Sequence, residues 1–372
     1  MIERLRFRLF AHSWTSDWNH GNAHFLRGLA YELGQLGHDV RCYEAINSWS
    51  MCNLMHEEPG TARAAIDQFR ASFPGLEVRS YDSGLNFRQF AEDELAQADI
   101  VVLHEWTAPQ VVNTILSLKM KLGFRALFHD THHRAYTSPQ QISELNVQAC
   151  DGVLAFGEAL RHIYAQAFGA KRVWTFHEAA DTAHFAPLPA ARKTDVVWIG
   201  NWGDEERSRE LDEFLLRPAA ALPNAKVAVY GVRYPESARA KLDAAGVKYR
   251  GYLPNLRTPH IYAESLLALH VPRRFYANGL SGIPTIRVFE ALACGIPLLC
   301  SPWTDAEGLF RRGEDYLSVE NGEQMEAEAR RLLRDDQARR QMATRGLETI
   351  HRRHTCRHRA IELLAICEEL GK

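Results

Sequence analysis

The stretch GIPTIRVFEALACGIPLLCSPW, Gly282 to Trp303, sets a lone glutamate inside an otherwise apolar run. Pro284 and Thr285 precede it, and Cys-Gly-Ile-Pro follows at 294–297. Ile286, Val288, Phe289 and Leu292 read as the apolar residues of a buried helix. Gly295 is placed to stop it, and Pro297–Cys300 reads as a short strand. A buried carboxylate with no partner is unfavourable. Glu290 is therefore expected to face a cleft rather than dry core.

The same alternation of strand and helix extends outward in both directions. Upstream, Leu5–Phe10, Asp39–Tyr43, Glu77–Tyr81, Ile100–His104, Arg125–His129, Gly152–Ala155 and Arg172–Phe176 are short apolar or β-branched runs. Helical patterns lie between them; Ala23–Leu36, closed by Gly37, is one. The segment Ala179–Asp195 carries two prolines and no periodicity, so a linker is placed at 181–194. A second series follows: Val196–Ile199, Val227–Tyr230, Val247–Tyr249, Ala268–Val271, Pro297–Cys300 and Tyr316–Val319 as strands. Asn321–Arg334, Asp336–His351 and His358–Glu369 read as helices with solvated Arg/Glu faces. The expectation is an α/β chain of two Rossmann-like, doubly wound parallel-sheet domains, 1–180 and 195–354, with a terminal segment 355–372. A length of 372 residues fits two cores better than one.

Composition narrows the function classes. Lys and Arg number 44 against 46 Asp and Glu, a formal net charge of -2, so there is no basic excess for a nucleic-acid partner. The start, MIERLRFRLFAHSW, is broken by arginines and does not read as a signal peptide. No apolar run nears the roughly 20 residues of a membrane span. The seven cysteines are scattered singly, without C-x-x-C, which fits a reducing cytoplasm. A cytoplasmic protein is expected.

In parallel sheets ligands bind beyond the carboxyl ends of the strands, so the strand ends carry the candidates. After the first strand, Gly21 opens a helix, either as a turn glycine or as an anion cradle. His104 ends the fourth strand. His129, Asp130, His132, His133 and Arg134 follow the fifth, and three readings stay open for them: a metal site, the polar wall of a sugar-sized pocket, or ordinary loop polarity. In the second half, Gly200, Asn201 and Trp202 form a tight turn after a strand, with Arg207 and Arg209 close behind. Arg273 and Arg274 stand past another strand end, followed by a glycine-containing loop and a helix start. Guanidiniums plus the N–H groups of Thr285, Ile286 and Arg287 make a diphosphate site. Glu290, about one turn into that helix, is positioned to accept the two hydroxyls of a ribose.

These residues resemble a known family. RVFEALACGIPLLCS, Arg287 to Ser301, is similar to the signature of GT-B glycosyltransferases of the group 1, family 4-like type. The longer stretch Pro284–Leu317 resembles its CgeB-like, spore-maturation branch. Ala155–Leu188 resembles the family's domain crossover, and His12–Val40 its N-terminal loop and helix. The resemblance implies a bacterial glycosyltransferase that moves a sugar from a nucleotide diphosphate sugar, UDP-sugar favoured. The donor would sit on the C-terminal domain. The N-terminal domain would hold a sugar, lipid-linked or small-molecule acceptor. It implies retention of anomeric configuration with no metal or other cofactor, and a final helix that crosses back to the first domain. Arg273 or Arg274 would stabilise the departing diphosphate, while His104, His129 and Asp130 would position acceptor or transferred sugar. Gly282 departs from the pattern: it holds the place of an earlier glutamate that contacts the donor sugar. A sugar-nucleotide epimerase or hydrolase, a catalytically degenerate nucleotide-sugar binder, and a metallohydrolase at His129–His133 are the alternatives.

Overall fold

The computed structural model describes residues 4–203 and 205–371. The chain divides into two compact units, Met1–Asp181 with Cys356–Lys372, and Thr182–Thr355.

The first unit is built on β1 (Arg6–Phe10), β2 (Asp39–Ala45), β3 (Glu77–Tyr81), β4 (Ile100–His104), β5 (Arg125–Asp130), β6 (Gly152–Ala155) and β7 (Val173–Thr175). Their order is β3-β2-β1-β4-β5-β6-β7, and every neighbouring pair is parallel. β4 and β6 are buried along their whole length. This is why they read as continuous apolar runs rather than alternating ones: helices cover both faces of a parallel sheet. The register sets His104 of β4 directly beside His129 of β5.

The second unit uses β8 (Thr194–Ile199), β9 (Val227–Tyr230), β10 (Lys248–Tyr249), β11 (Ser265–His270), β12 (Leu298–Cys300) and β13 (Leu317–Ser318), in the order β10-β9-β8-β11-β12-β13 and again parallel. Val196, Trp198, Leu267, Leu299, Met325 and Leu332 belong to its core. β10 and β13 pair on one side only, and two residues of each join the ladder where three and four were expected. Val247 and Tyr316 are buried core residues beside them instead. Residues 182–193 go with this unit: Arg192 Nη1 donates to the Ala263 carbonyl at 2.8 Å, and Lys193 N to that of Glu264 at 2.8 Å.

The final helix, Cys356–Gly371, belongs to the first unit and packs on the helix Ala23–Gln35. Cys356 N donates to the Ala180 carbonyl at 2.9 Å, Arg357 reaches Glu32 at 3.3 Å, and Trp174 Nε1 donates to Glu369 at 2.9 Å. Backbone approach is close here. A Cβ on Gly28 would stand 2.6 Å from Cys356 Sγ and 2.7 Å from Asp181 Cβ, whereas one on Gly34 of the same helix meets nothing within 4 Å. Helix propensity favours Ala over Gly by about 1 kcal/mol at both sites. Gly34→Ala is therefore expected to hold or raise stability in urea titrations. Gly28→Ala should lower it by about 1–3 kcal/mol, the range for overpacking.

Candidate functional site

Open parallel sheets take ligands at the point where strand order reverses. In the second unit that point lies between β8 and β11. Gly200 and Asn201 leave β8; the Gly200 amide donates to the Tyr230 carbonyl at 2.9 Å, and Asn201 Oδ1 accepts from Val232 N at 2.9 Å. Both are thereby fixed against the loop after β9. Trp202 turns the other way. It is buried in the core, its ring 5.8 Å from that of Tyr234, so the expectation that Trp202 lines the turn with Gly200 and Asn201 is corrected. Arg207 is buried too: its guanidinium donates to the Val271 carbonyl and lies 5.2 Å above the Trp198 ring.

On the β11 side, Arg273 caps the short helix Arg274–Asn278. Its guanidinium abuts the β8 loop, since a Cβ on Gly203 would stand 2.9 Å from Nη2. Arg274 diverges: it is largely exposed and pairs with Glu210 at 3.6 Å. The structure thus separates two arginines that are adjacent in sequence.

Thr285 is the N-cap of the helix Ile286–Ala293, yet its hydroxyl makes no capping bond. Threonine at this position normally accepts from a first-turn amide. Here Oγ1 shares a hydrogen bond with His270 Nε2 at 2.9 Å. His270 ends β11 and is buried. Burial first, then the charges of Arg207 and Arg287, lowers its pKa to about 3, so the imidazole is neutral. The first turn of this helix has no side-chain cap, and its amides with their dipole suit an anion.

Glu290 has no exposed surface. Its carboxylate accepts from Arg287 Nη1, one turn back, and from Asn255 Nδ2 at 3.3 Å. The expectation of a side chain aimed into an open cleft is corrected: a guanidinium and an amide satisfy the buried charge. Gly282 has φ of +94°, a conformation glutamate rarely adopts. A Cβ there would stand 3.1 Å from Cγ of Glu307. A glutamate here would be strained by the backbone and would need Glu307 to yield, and Glu307 brings a carboxylate-bearing side chain to the same loop.

In the first unit the reversal falls between β1 and β4, and histidines gather there. His104 and His129 rings lie 5.7 Å apart. His12, just past β1, is 5.7 Å from His104 and 4.3 Å from His20 of the following loop. His104 Nε2 bonds Thr131 Oγ1 at 3.0 Å, and burial before anything else holds His12, His20, His104 and His129 neutral. Asp130 is fully buried, accepting from His132 N and Tyr164 Oη at 2.8 Å each. Burial raises its pKa to about 6. Its neighbour Glu105 is raised as well, by burial and by the Asp130 charge, although Arg134 Nε donates to it at 3.1 Å.

The loop that carries His12 and His20 is held from two sides. The Arg27 guanidinium, wholly buried, donates to the carbonyls of Trp14 at 2.7 Å and Thr15 at 3.3 Å and pairs with Asp17 at 3.2 Å. The buried Glu44 carboxylate accepts from Thr15 N at 2.7 Å and from the Ser16 hydroxyl. Gly21 lies next to His20 at the end of this loop, before Asn22, which caps the helix and reaches the Thr131 carbonyl at 3.3 Å.

His104, His129 and Asp130 are thus brought together in the first unit, and Gly200, Asn201, Arg273, Thr285, Ile286 and Arg287 in the second. His12, His20, Arg27, Glu44 and His270 were missed, whereas Glu105 reads beside His104 at the tip of β4. A histidine at a strand tip, as at 104 and 129, was a usable signal for His270. Nothing in the sequence marked Arg27, which reads as one more residue of an amphipathic helix. Among the described residues no three His, Cys, Asp or Glu side chains are arranged to hold a metal ion, and no helix is long and apolar enough to cross a membrane.

Residues 207–365 match the family model described as Glycosyl transferase-like. HepE of Anabaena, solved with UDP and glucose, superposes with a TM-score of 0.72 over 98% of this chain and 100% of its own, at 12% identity. The fold is that of GT-B glycosyltransferases. Sucrose-phosphate synthase of Thermosynechococcus elongatus superposes with a TM-score of 0.70 over 99% of both chains at 14% identity. An α-glucosyltransferase solved with UDP and a 13-mer DNA containing an HMU base gives 0.68 over 98% of this chain and 100% of its own, at 10% identity. No curated protein sequence matches the chain. The matched span includes His270, Arg273, Thr285 and Glu290.

Two measurements check this account. Glu290→Ala removes the carboxylate that the Arg287 guanidinium and the Asn255 amide share, so stability should fall by about 1–3 kcal/mol in denaturant titrations; an unchanged midpoint removes the buried pair. The pH dependence has a definite sign. His129 and His270 titrate near 3 when folded, against 6.5 for an ordinary histidine. Between those values the unfolded chain binds more protons, so stability falls as pH drops below about 6.5 by roughly 1.4 kcal/mol per pH unit for each such group. Asp130, raised from 3.8 to about 6, works oppositely, losing stability as pH rises through 4 to 6. The histidines outnumber it, so the melting temperature should drop steadily from pH 6.5 to 5.

Proposed function

We propose that this protein transfers a sugar from a nucleotide diphosphate sugar, UDP-sugar favoured, to an acceptor, with retention and without a metal, within the CgeB-like branch. The second unit binds the donor and the first the acceptor. The observation that carries this is Thr285 drawn off its cap by His270, which leaves a helix terminus without a side-chain cap at the end of β11, the strand that Arg273 follows. Two solved neighbours of the same fold hold UDP, which supports uridine as the base.

The helix amides and Arg273 offset negative charge that grows on the diphosphate as the glycosidic bond breaks. Such a contact acts through fixed dipoles and accelerates the step because it is stronger in the transition state than in the ground state. The Arg287–Glu290 pair holds the first turn of that helix in place, and Glu290 contributes to the nucleoside site from there. His104, His129 and Asp130 orient the acceptor. The protein acts in the cytoplasm on a sugar, lipid-linked or small-molecule acceptor rather than on nucleic acid.

UDP and GDP should be compared first by thermal shift, since a bound ligand stabilises by mass action; no shift with any nucleoside diphosphate overturns the donor assignment. Arg273→Ala is expected to lower kcat at least tenfold with a smaller change in UDP affinity. Arg274→Ala should do less, because that side chain is directed to Glu210. Turnover is expected to survive EDTA, and loss that a divalent ion restores overturns metal independence. An anomeric NMR spectrum of the product reads retention directly.

A further inference from the structure

The histidine cluster of the first unit specifies more than an acceptor side. His20 and His129 are at least nine-tenths buried, yet both ring nitrogens of His20 and Nε2 of His129 have no protein partner, nor does Nδ1 of the less buried His12. Buried polar groups are normally paired, and each exception calls for a physical reason. Trp106 beside them is 40% exposed; its ring is 6.1 Å from that of His12. Its indole therefore brings a flat apolar surface to the rim of the group.

The charge balance is equally specific. The two guanidiniums next to the cluster are already engaged: Arg134 with Glu105 at 3.1 Å and over the Trp106 ring at 3.8 Å, and Arg27 with Asp17 at 3.2 Å. A neutral imidazole presents one N–H donor and one bare acceptor nitrogen. A hydroxyl has the same pairing of donor and acceptor. A phosphate or carboxylate only accepts, so it would set its oxygens against the bare nitrogens while both nearby guanidiniums are already engaged. An ammonium only donates.

We propose that His12, His20 and His129, with Trp106 at the rim, form a binding site for an uncharged, hydroxyl-rich molecule, a neutral saccharide or glycoside. This rests on the transferase reading in that it names the chemical class of its acceptor. Alternating donors and acceptors satisfy sugar hydroxyls, and the Trp106 ring takes an apolar sugar face. Arg27 and Glu44 are positioning residues: they hold the loop that carries His12 and His20.

The test is NMR of selectively 15N-histidine-labelled full-length protein at pH 7.5. It is titrated separately with methyl α-glucoside, methyl α-galactoside, methyl α-mannoside, glucose 6-phosphate, the 13-mer DNA type and Zn2+. At least one neutral glycoside should shift the His20 and His12 ring resonances, saturating in the millimolar range, with glucose 6-phosphate at least tenfold weaker. His20→Phe should abolish the shift of the His12 ring while UDP still raises the melting temperature, and His20→Gln, which keeps a donor and an acceptor, should restore part of that His12 shift. The proposal is overturned if glucose 6-phosphate or DNA binds more tightly, if Zn2+ alone shifts the rings, or if no glycoside does so at 50-fold excess. Failure of the transferase reading looks different: glycosides shift the histidines but no nucleoside diphosphate binds.

Discussion

A parallel strand covered by helices on both faces has one place for polar chemistry, its carboxyl tip. That constraint organises both units. β4, β5 and β11 are apolar along their length and end in His104, Asp130 and His270. The tips are themselves buried, so each polar group needs a partner or a charge state that tolerates low dielectric. The imidazoles meet this by staying neutral. The carboxylates meet it in three ways: Glu290 by an arginine one turn away, Glu44 by loop amides and a hydroxyl, and Glu105 with Asp130 by sharing proton affinity beside Arg134.

Strand runs and the helix–glycine–strand unit at 282–303 were legible because burial on both faces writes itself as continuous apolar sequence. All thirteen strands named in sequence occur, with ends that move by a few residues. Strand tips were legible for the same reason: a polar residue after an apolar run has nowhere else to go. Side-chain direction was not. Asn201 and Trp202 are adjacent, and one ties two loops together while the other fills the core. Arg273 and Arg274 part in the same way. Glu290 reads as unpaired because its partner, Arg287, also belongs to the apparent phosphate loop, and only a helical i, i+3 contact makes the pair visible. His12 and His20 are eight residues apart in a loop whose path depends on a distant glutamate and on an arginine within a helix, a folding outcome no local pattern encodes.

The likeness to known enzymes divides along the same line. The family model covers the second unit from Arg207 onward, beyond β8, and runs into the last helix, while the first unit is shared with solved structures by shape.

The last helix has a consequence for synthesis of the chain. Because Cys356–Gly371 completes the first unit while 182–355 forms the second, the second unit is an insertion between two parts of the first. On a ribosome the nascent chain finishes the second unit while the first still lacks the helix that packs on Ala23–Gln35. Domains usually fold in the order they are made; here the body begun first is the body closed last.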